Sequence, residues 1–170
     1  EYVIGTRRGI SNRKPIIGQY DINREGSGDM YSKGANLLHT IRQLAKDDEV
    51  WRQTLRGLNK EFYHSTVTTK EIEDYISKRI GMDLSKVFDQ YLRDIRVPIF
   101  EYEITNGELK YRWNNVIDGF DMPVEVIIDD KNIHLFPNTE FKKTAIKNLY
   151  INVDDDYYIF TKDLKIIVDK

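Results

Sequence analysis

The sequence predicts an α+β fold in which helices come first and a small antiparallel β-sandwich follows. Three observations predict it. Apolar residues recur at helical spacing over residues 31–92, they recur at every second position after Pro98, and a length of 170 residues holds one ordinary domain or two small ones. A composition of 40% hydrophobic, 12% aromatic and 32% charged residues is globular and too apolar for intrinsic disorder.

Each helix has its own stripe and boundary. Leu37, Leu38, Ile41, Leu44 and Ala45 share one face of a first helix that begins near Tyr31 and stops at Asp47 and Asp48. Trp51, Leu55, Leu58 and Phe62 mark a second helix, with Asp47 or Asp48 placed to cap its free N–H groups. Thr68 followed by Glu71 three residues later reads as a capping box for a third helix, which buries Ile72, Tyr75, Ile76 and Ile80 and ends at Gly81. Asp83 opens a fourth helix with Leu84, Val87, Phe88, Tyr91 and Leu92 as its stripe, and Pro98 prevents its continuation. Connections this short predict compact antiparallel helix packing.

The period then becomes two. Phe100, Tyr102 and Ile104 alternate with Glu101 and Glu103, Asn106-Gly107 offers a hairpin turn, and Leu109, Tyr111 and Trp113 alternate on the return strand. Further strands are predicted at 124–128, 133–136, 141–146, 149–153, 157–160 and 164–168, and seven or eight short strands suggest a sandwich. Residues 1–30 are broken by Gly, Asn and Pro, with a short apolar start and no long helix.

Several classes of function are excluded by what the sequence lacks. There is no cysteine, hence no disulfide, thiolate metal site or cysteine nucleophile. A net charge of −2, from 26 basic and 28 acidic side chains, provides no general field for phosphates, so nucleic acid is not an expected partner. The charge changes from +3 before Val97 to −5 from Val97 onward, where the hydrophobic period also changes. No apolar run is long enough to span a bilayer, and the start Glu1-Tyr2-Val3-Ile4 has no basic or apolar leader pattern. The absence of Met at position 1 is consistent with a piece of a longer protein.

Little conventional site chemistry is visible. His39, His64 and His134 lie on different elements, with no two at the spacing of a His-Glu-x-x-His helix, so no autonomous zinc site is expected. Gly26-Ser27-Gly28 lacks the Lys-Ser/Thr pair of a phosphate loop, and no nucleophile-elbow pattern occurs. The informative segment runs from Glu25 to Arg42. It places glycines, Asp29 and Tyr31 at the start of an amphipathic helix, where N–H groups and the helix dipole favour negative charge and a phenol can donate to an oxyanion. The same residues also read as ordinary structure, with Tyr31 packing on the core and Gly34 admitting a neighbouring helix.

Tyr31, Lys33 and Gly34 together resemble the Tyr-x-Lys-Gly motif of the M1 family of zinc metallopeptidases, the gluzincin aminopeptidases. The resemblance continues through the second helix, the Thr68-Thr69-x-Glu71 start, Gly81-x-Asp83-Leu84 with Phe88 and Leu92, and Val97-Pro98 leading into a strand. It implies that Tyr31 stabilises the tetrahedral intermediate opposite the metal. The family's His-Glu-x-x-His pair, downstream glutamate and Gly-x-Met-Glu-Asn segment are absent from this sequence. The resemblance therefore implies a C-terminal portion, with residues 1–96 the helical end of an M1-type catalytic domain and residues 97–170 a β-sandwich domain. Zinc would belong to the full-length parent and none to this chain. The partners implied are a peptide substrate and the missing N-terminal catalytic half. Gly28 and Asp29 are candidates to border the substrate cleft, although an acid beside a glycine is also an ordinary exposed turn residue. Lys33 is expected to be solvated or ion-paired.

The alternative is a non-catalytic β-sandwich binding or scaffold module, with Trp113, Tyr157 and Tyr158 as an aromatic platform. Alternation instead turns Trp113 toward the core, and a strand through 157–160 sends the two adjacent tyrosines to opposite faces.

Overall fold

The computed structural model of the chain describes residues 2–18, 27–45, 47–147 and 150–165. The helices are α1 (Tyr2–Gly5), with a 3-10 turn after it (Thr6–Gly9), α2 (Asp29–Ala45), α3 (Asp48–Glu61), α4 (Thr69–Ile80) and α5 (Ser85–Phe88), which widens into a π-helical turn (Asp89–Arg93). The strands are β1 (Ile99–Thr105), β2 (Glu108–Asn114), β3 (Val124–Ile128), β4 (Lys131–Leu135), β5 (Lys142–Ala145), β6 (Ile151–Val153) and β7 (Phe160–Asp163). The fold is α+β.

The helix boundaries follow from local chemistry. The Asp47 carboxylate accepts from the N–H groups of Glu49 and Val50 and opens α3. Thr68 and Glu71 form the reciprocal capping box of α4, and Gly81 closes that helix in the left-handed region at φ 75°. The fourth helix begins later than its apolar stripe predicts, at Ser85, because Asp83 accepts from the Ser85 N–H and holds the preceding residues in a turn. In the π-helical turn the buried Gln90 is satisfied at both ends, donating to the Arg96 carbonyl and accepting from the Ile117 N–H.

The strands form two sheets, ordered β5-β2-β1-β7 and β4-β3-β6. The β1–β2 hairpin turns on Asn106 and Gly107, both at positive φ as its two-residue turn requires. An antiparallel arrangement was the expectation, but β7 pairs with β1 in parallel, so the first sheet is mixed. The buried Glu101 carboxylate lies opposite Lys162 in this pairing. It accepts from Arg112 and Asn114 on β2 and from Lys162 on β7, joining three strands.

The strand predicted at 157–160 is also corrected, since regular pairing starts only at Phe160. Its backbone is engaged elsewhere: the Tyr158 N–H donates to the Thr40 hydroxyl on α2, and the Tyr158 carbonyl accepts from the Tyr91 hydroxyl. The residues therefore turn instead of alternating, and Tyr157 and Tyr158 are both buried. Leu164 and Lys165 form a turn, while 166–168 of the last predicted strand and Leu149 of the 149–153 strand lie outside the described residues.

One apolar cluster runs through the helices and both sheets, from Leu37, Ile41 and Leu84 through Phe100, Trp113 and Phe120 to Val124, Val126 and Ile128. Trp113 packs edge-on to Phe100 and Phe120, and its indole N–H donates to the Met122 carbonyl at 2.9 Å. No described helix is long and apolar enough to cross a membrane.

Candidate active site

Helix α2 carries the candidate tyrosine. Residues two apart on a helix point about 200° away from one another, so Tyr31 and Lys33 take opposite sides of the first turns. Tyr31 faces outward at 77% exposure, and its hydroxyl has no hydrogen-bond partner among the described residues. Lys33 faces inward at 0% exposure, with Nζ donating to the Asp94 carbonyl at 2.9 Å. Burial lowers the Lys33 pKa, against the opposing pull of the Asp29 and Asp94 charges.

Asp29 fixes the start of the helix. It accepts from the backbone N–H groups of Ser11 at 2.9 Å and Asn12 at 2.7 Å, and the Ser11 hydroxyl reaches both carboxylate oxygens. Burial pushes the carboxyl pKa upward, but these hydrogen bonds and the Lys33 charge outweigh it and leave the pKa below the usual Asp value. An anion in the first turn is further favoured by the helix dipole.

These placements change two expectations. Lys33 is buried and forms no side-chain ion pair among the described residues; its ammonium is used internally on a backbone carbonyl. Asp29 is not an exposed turn acid, because its oxygens close the 10–12 loop onto α2. Gly28 is exposed beside it, and a side chain there would meet no described atom within 4 Å. A side chain at Gly34 would likewise meet no described atom within 4 Å, so no helix among the described residues packs against that glycine. It lies one turn after Tyr31, on the same side of α2.

A second layer holds α2 in place. Asn36 accepts from Arg7 Nε at 2.7 Å and donates to the Val3 carbonyl and the Thr6 hydroxyl, which straps α1 and the 3-10 turn to the helix. The Arg7 guanidinium also donates to the carbonyls of Asp155 and Asp156, while Asn12 donates to the Tyr158 hydroxyl. Around this anchored base Tyr2, Met30, Tyr31 and Leu38 remain exposed.

The histidines do not converge. His39 Nε2 lies 3.0 Å from Asp156, His134 Nε2 lies 3.1 Å from Glu125, and His64 occupies a positive-φ turn position. Among the described residues no group of three His, Asp or Glu side chains is arranged to hold a metal ion. Trp113, Tyr157 and Tyr158 are all buried, so they form no aromatic platform.

No family model matches the sequence. Over 157 residues, 88% of the chain, it is 25% identical to Aminopeptidase 2 of Candida albicans and spans 17% of that protein. Among solved structures, Legionella pneumophila aminopeptidase A in complex with aspartic acid shares the fold with a TM-score of 0.62 and 15% sequence identity, over 80% of this chain and 18% of the other. The chain is thus similar to a portion of aminopeptidases and spans less than a fifth of the length of either relative.

Proposed function

We propose that the chain is the C-terminal portion of a zinc-dependent aminopeptidase of the M1 type, and that Tyr31 is its contribution to the chemistry. On this reading residues 1–96 complete the catalytic domain and residues 97–170 form a β-sandwich domain. The described residues do not fit a zinc ion, so no metal step is assigned to them; the ligands would lie outside this chain, in an N-terminal catalytic half. The observation that carries the proposal is the division of labour on α2: Lys33 is fixed inside while the Tyr31 hydroxyl, without a partner among the described residues, faces out two residues earlier. The sequence similarity to an aminopeptidase supports the same reading.

Attack on a peptide carbonyl places negative charge on its oxygen. A phenol held by a rigid helix start donates a hydrogen bond to that oxygen without reorganising, which lowers the barrier more than it strengthens substrate binding. Asp29 and Lys33 act as positioning residues, fixing the height and rotation of the first turn. Gly28 and Gly34 leave room beside the ring for an extended peptide. The proposal is tested by Tyr31→Phe in the full-length enzyme, where turnover should fall with metal content and KM nearly unchanged.

A further inference from the structure

A groove between α3 and α4 gathers basic side chains around a tyrosine hydroxyl. It encloses about 360 Å³ and is lined by Gln53, Arg56, Gly57, Lys60, Glu61, Tyr75 and Arg79. Arg56, Lys60 and Arg79 are exposed and have no acidic partner among the described residues. Against the single carboxylate of Glu61 in the lining, these three cations leave the groove net positive in a chain whose total charge is −2.

The floor of the groove is equally specific. Gly57 sits inside α3 without a positive φ, where glycine costs about 1 kcal/mol relative to alanine. A methyl group at this position would collide with the Tyr75 hydroxyl. The glycine thus admits the phenol tip between the helices, and that hydroxyl has no hydrogen-bond partner among the described residues. Arg56 and Lys60 are one turn apart on α3, about 6 Å along its surface, and Arg79 follows Tyr75 by one turn on α4.

We infer that this groove is a binding site for an anion carrying two or more phosphate groups. Guanidinium groups present parallel donors to phosphate oxygens, the ammonium supplies a point charge one turn away, and the Tyr75 hydroxyl adds a neutral donor from below. Spacing by helical turns suits linked phosphates better than a single one. The site uses no atom of the Tyr31 region and stands independently of the proposed peptidase role.

The test is calorimetric titration of the 170-residue chain with inorganic diphosphate at moderate ionic strength, beside inorganic phosphate and citrate. Saturable binding of diphosphate is expected, tighter than for either control anion. The Arg56→Gln/Arg79→Gln double variant should weaken it by about tenfold or more, and Tyr75→Phe should weaken it by a smaller factor. Lys131→Gln removes one exposed charge from β4, outside the groove, and should leave binding unchanged. Absence of saturable diphosphate binding, citrate or phosphate binding as tightly, or equal losses in Lys131→Gln would overturn the assignment. Circular dichroism melts of each variant, expected to match the parent because the arginines are exposed, separate lost binding from lost folding.

Discussion

The Lys33 ammonium donates to the Asp94 carbonyl across 2.9 Å in a fully buried position, only two residues from the exposed Tyr31. This contact ties the first turns of α2 to the segment leading into the sheets. Lys33→Ala removes the stem and the donor together and should destabilise the chain by about 2 kcal/mol or more. Lys33→Met refills the space without the charge and should recover part of that loss. Denaturant unfolding of the three proteins measures the difference, and a neutral Lys33→Ala would show that the contact does not hold the helix.

Asp29 gives the helix start a pH dependence. Its folded pKa lies below the ordinary value of 3.8, so its stabilisation is present above that value and is lost as pH falls through the lower folded value. Asp29→Asn should cost about 1–3 kcal/mol near neutral pH, since it weakens the hydrogen bonds from the 10–12 loop. The gap between the two proteins should narrow on acidification below about pH 4. A gap of constant size across that range would assign the effect to packing.

Thr40 joins α2 to the turn that precedes β7 by a relay, with its buried hydroxyl accepting from the Tyr158 N–H and donating to the Asn36 carbonyl. Thr40→Val preserves shape but strands the Tyr158 N–H, and should lower stability by about 1–3 kcal/mol. Thr40→Ser should lose less, and amide exchange at Tyr158 should accelerate only in the valine variant.

Gly57→Ala tests the α3–α4 contact by a change of sign. The substitution normally stabilises a helix interior by up to about 1 kcal/mol. Against the Tyr75 hydroxyl it should instead destabilise, and in a Tyr75→Ala background it should become favourable. Additive effects in the double-mutant cycle would remove the proposed collision.

Local signals in the sequence located most of the fold. Asp47, the Thr68–Glu71 box, Gly81 and the Asn106-Gly107 turn act within a few residues of themselves, and each occurs where its chemistry requires. What was not legible depends on partners far along the chain. Nothing near Asp29 announces Ser11, nothing near Lys33 announces the Asp94 carbonyl, and Arg7 finds its acceptors at Asp155 and Asp156. Tyr157 and Tyr158 look like strand residues by composition, but their backbone is drawn to Thr40 and Tyr91 and leaves the alternating pattern. Tyr31 was legible as a candidate because its neighbours form a motif; that Lys33 lies beneath it as a buried anchor was not.

The central proposal concerns the Tyr31 hydroxyl, and Tyr31→Phe in the proposed full-length zinc aminopeptidase removes that group alone. Turnover and bound zinc are to be measured on the same preparations of parent and variant. Loss of one preorganised oxyanion donor predicts a fall in kcat of about 10²–10³, on the order of 3–4 kcal/mol, with kcat/KM falling equally and KM and zinc content held. A kcat within about twofold of the parent at full zinc occupancy would contradict the account and return Tyr31 to an ordinary surface residue.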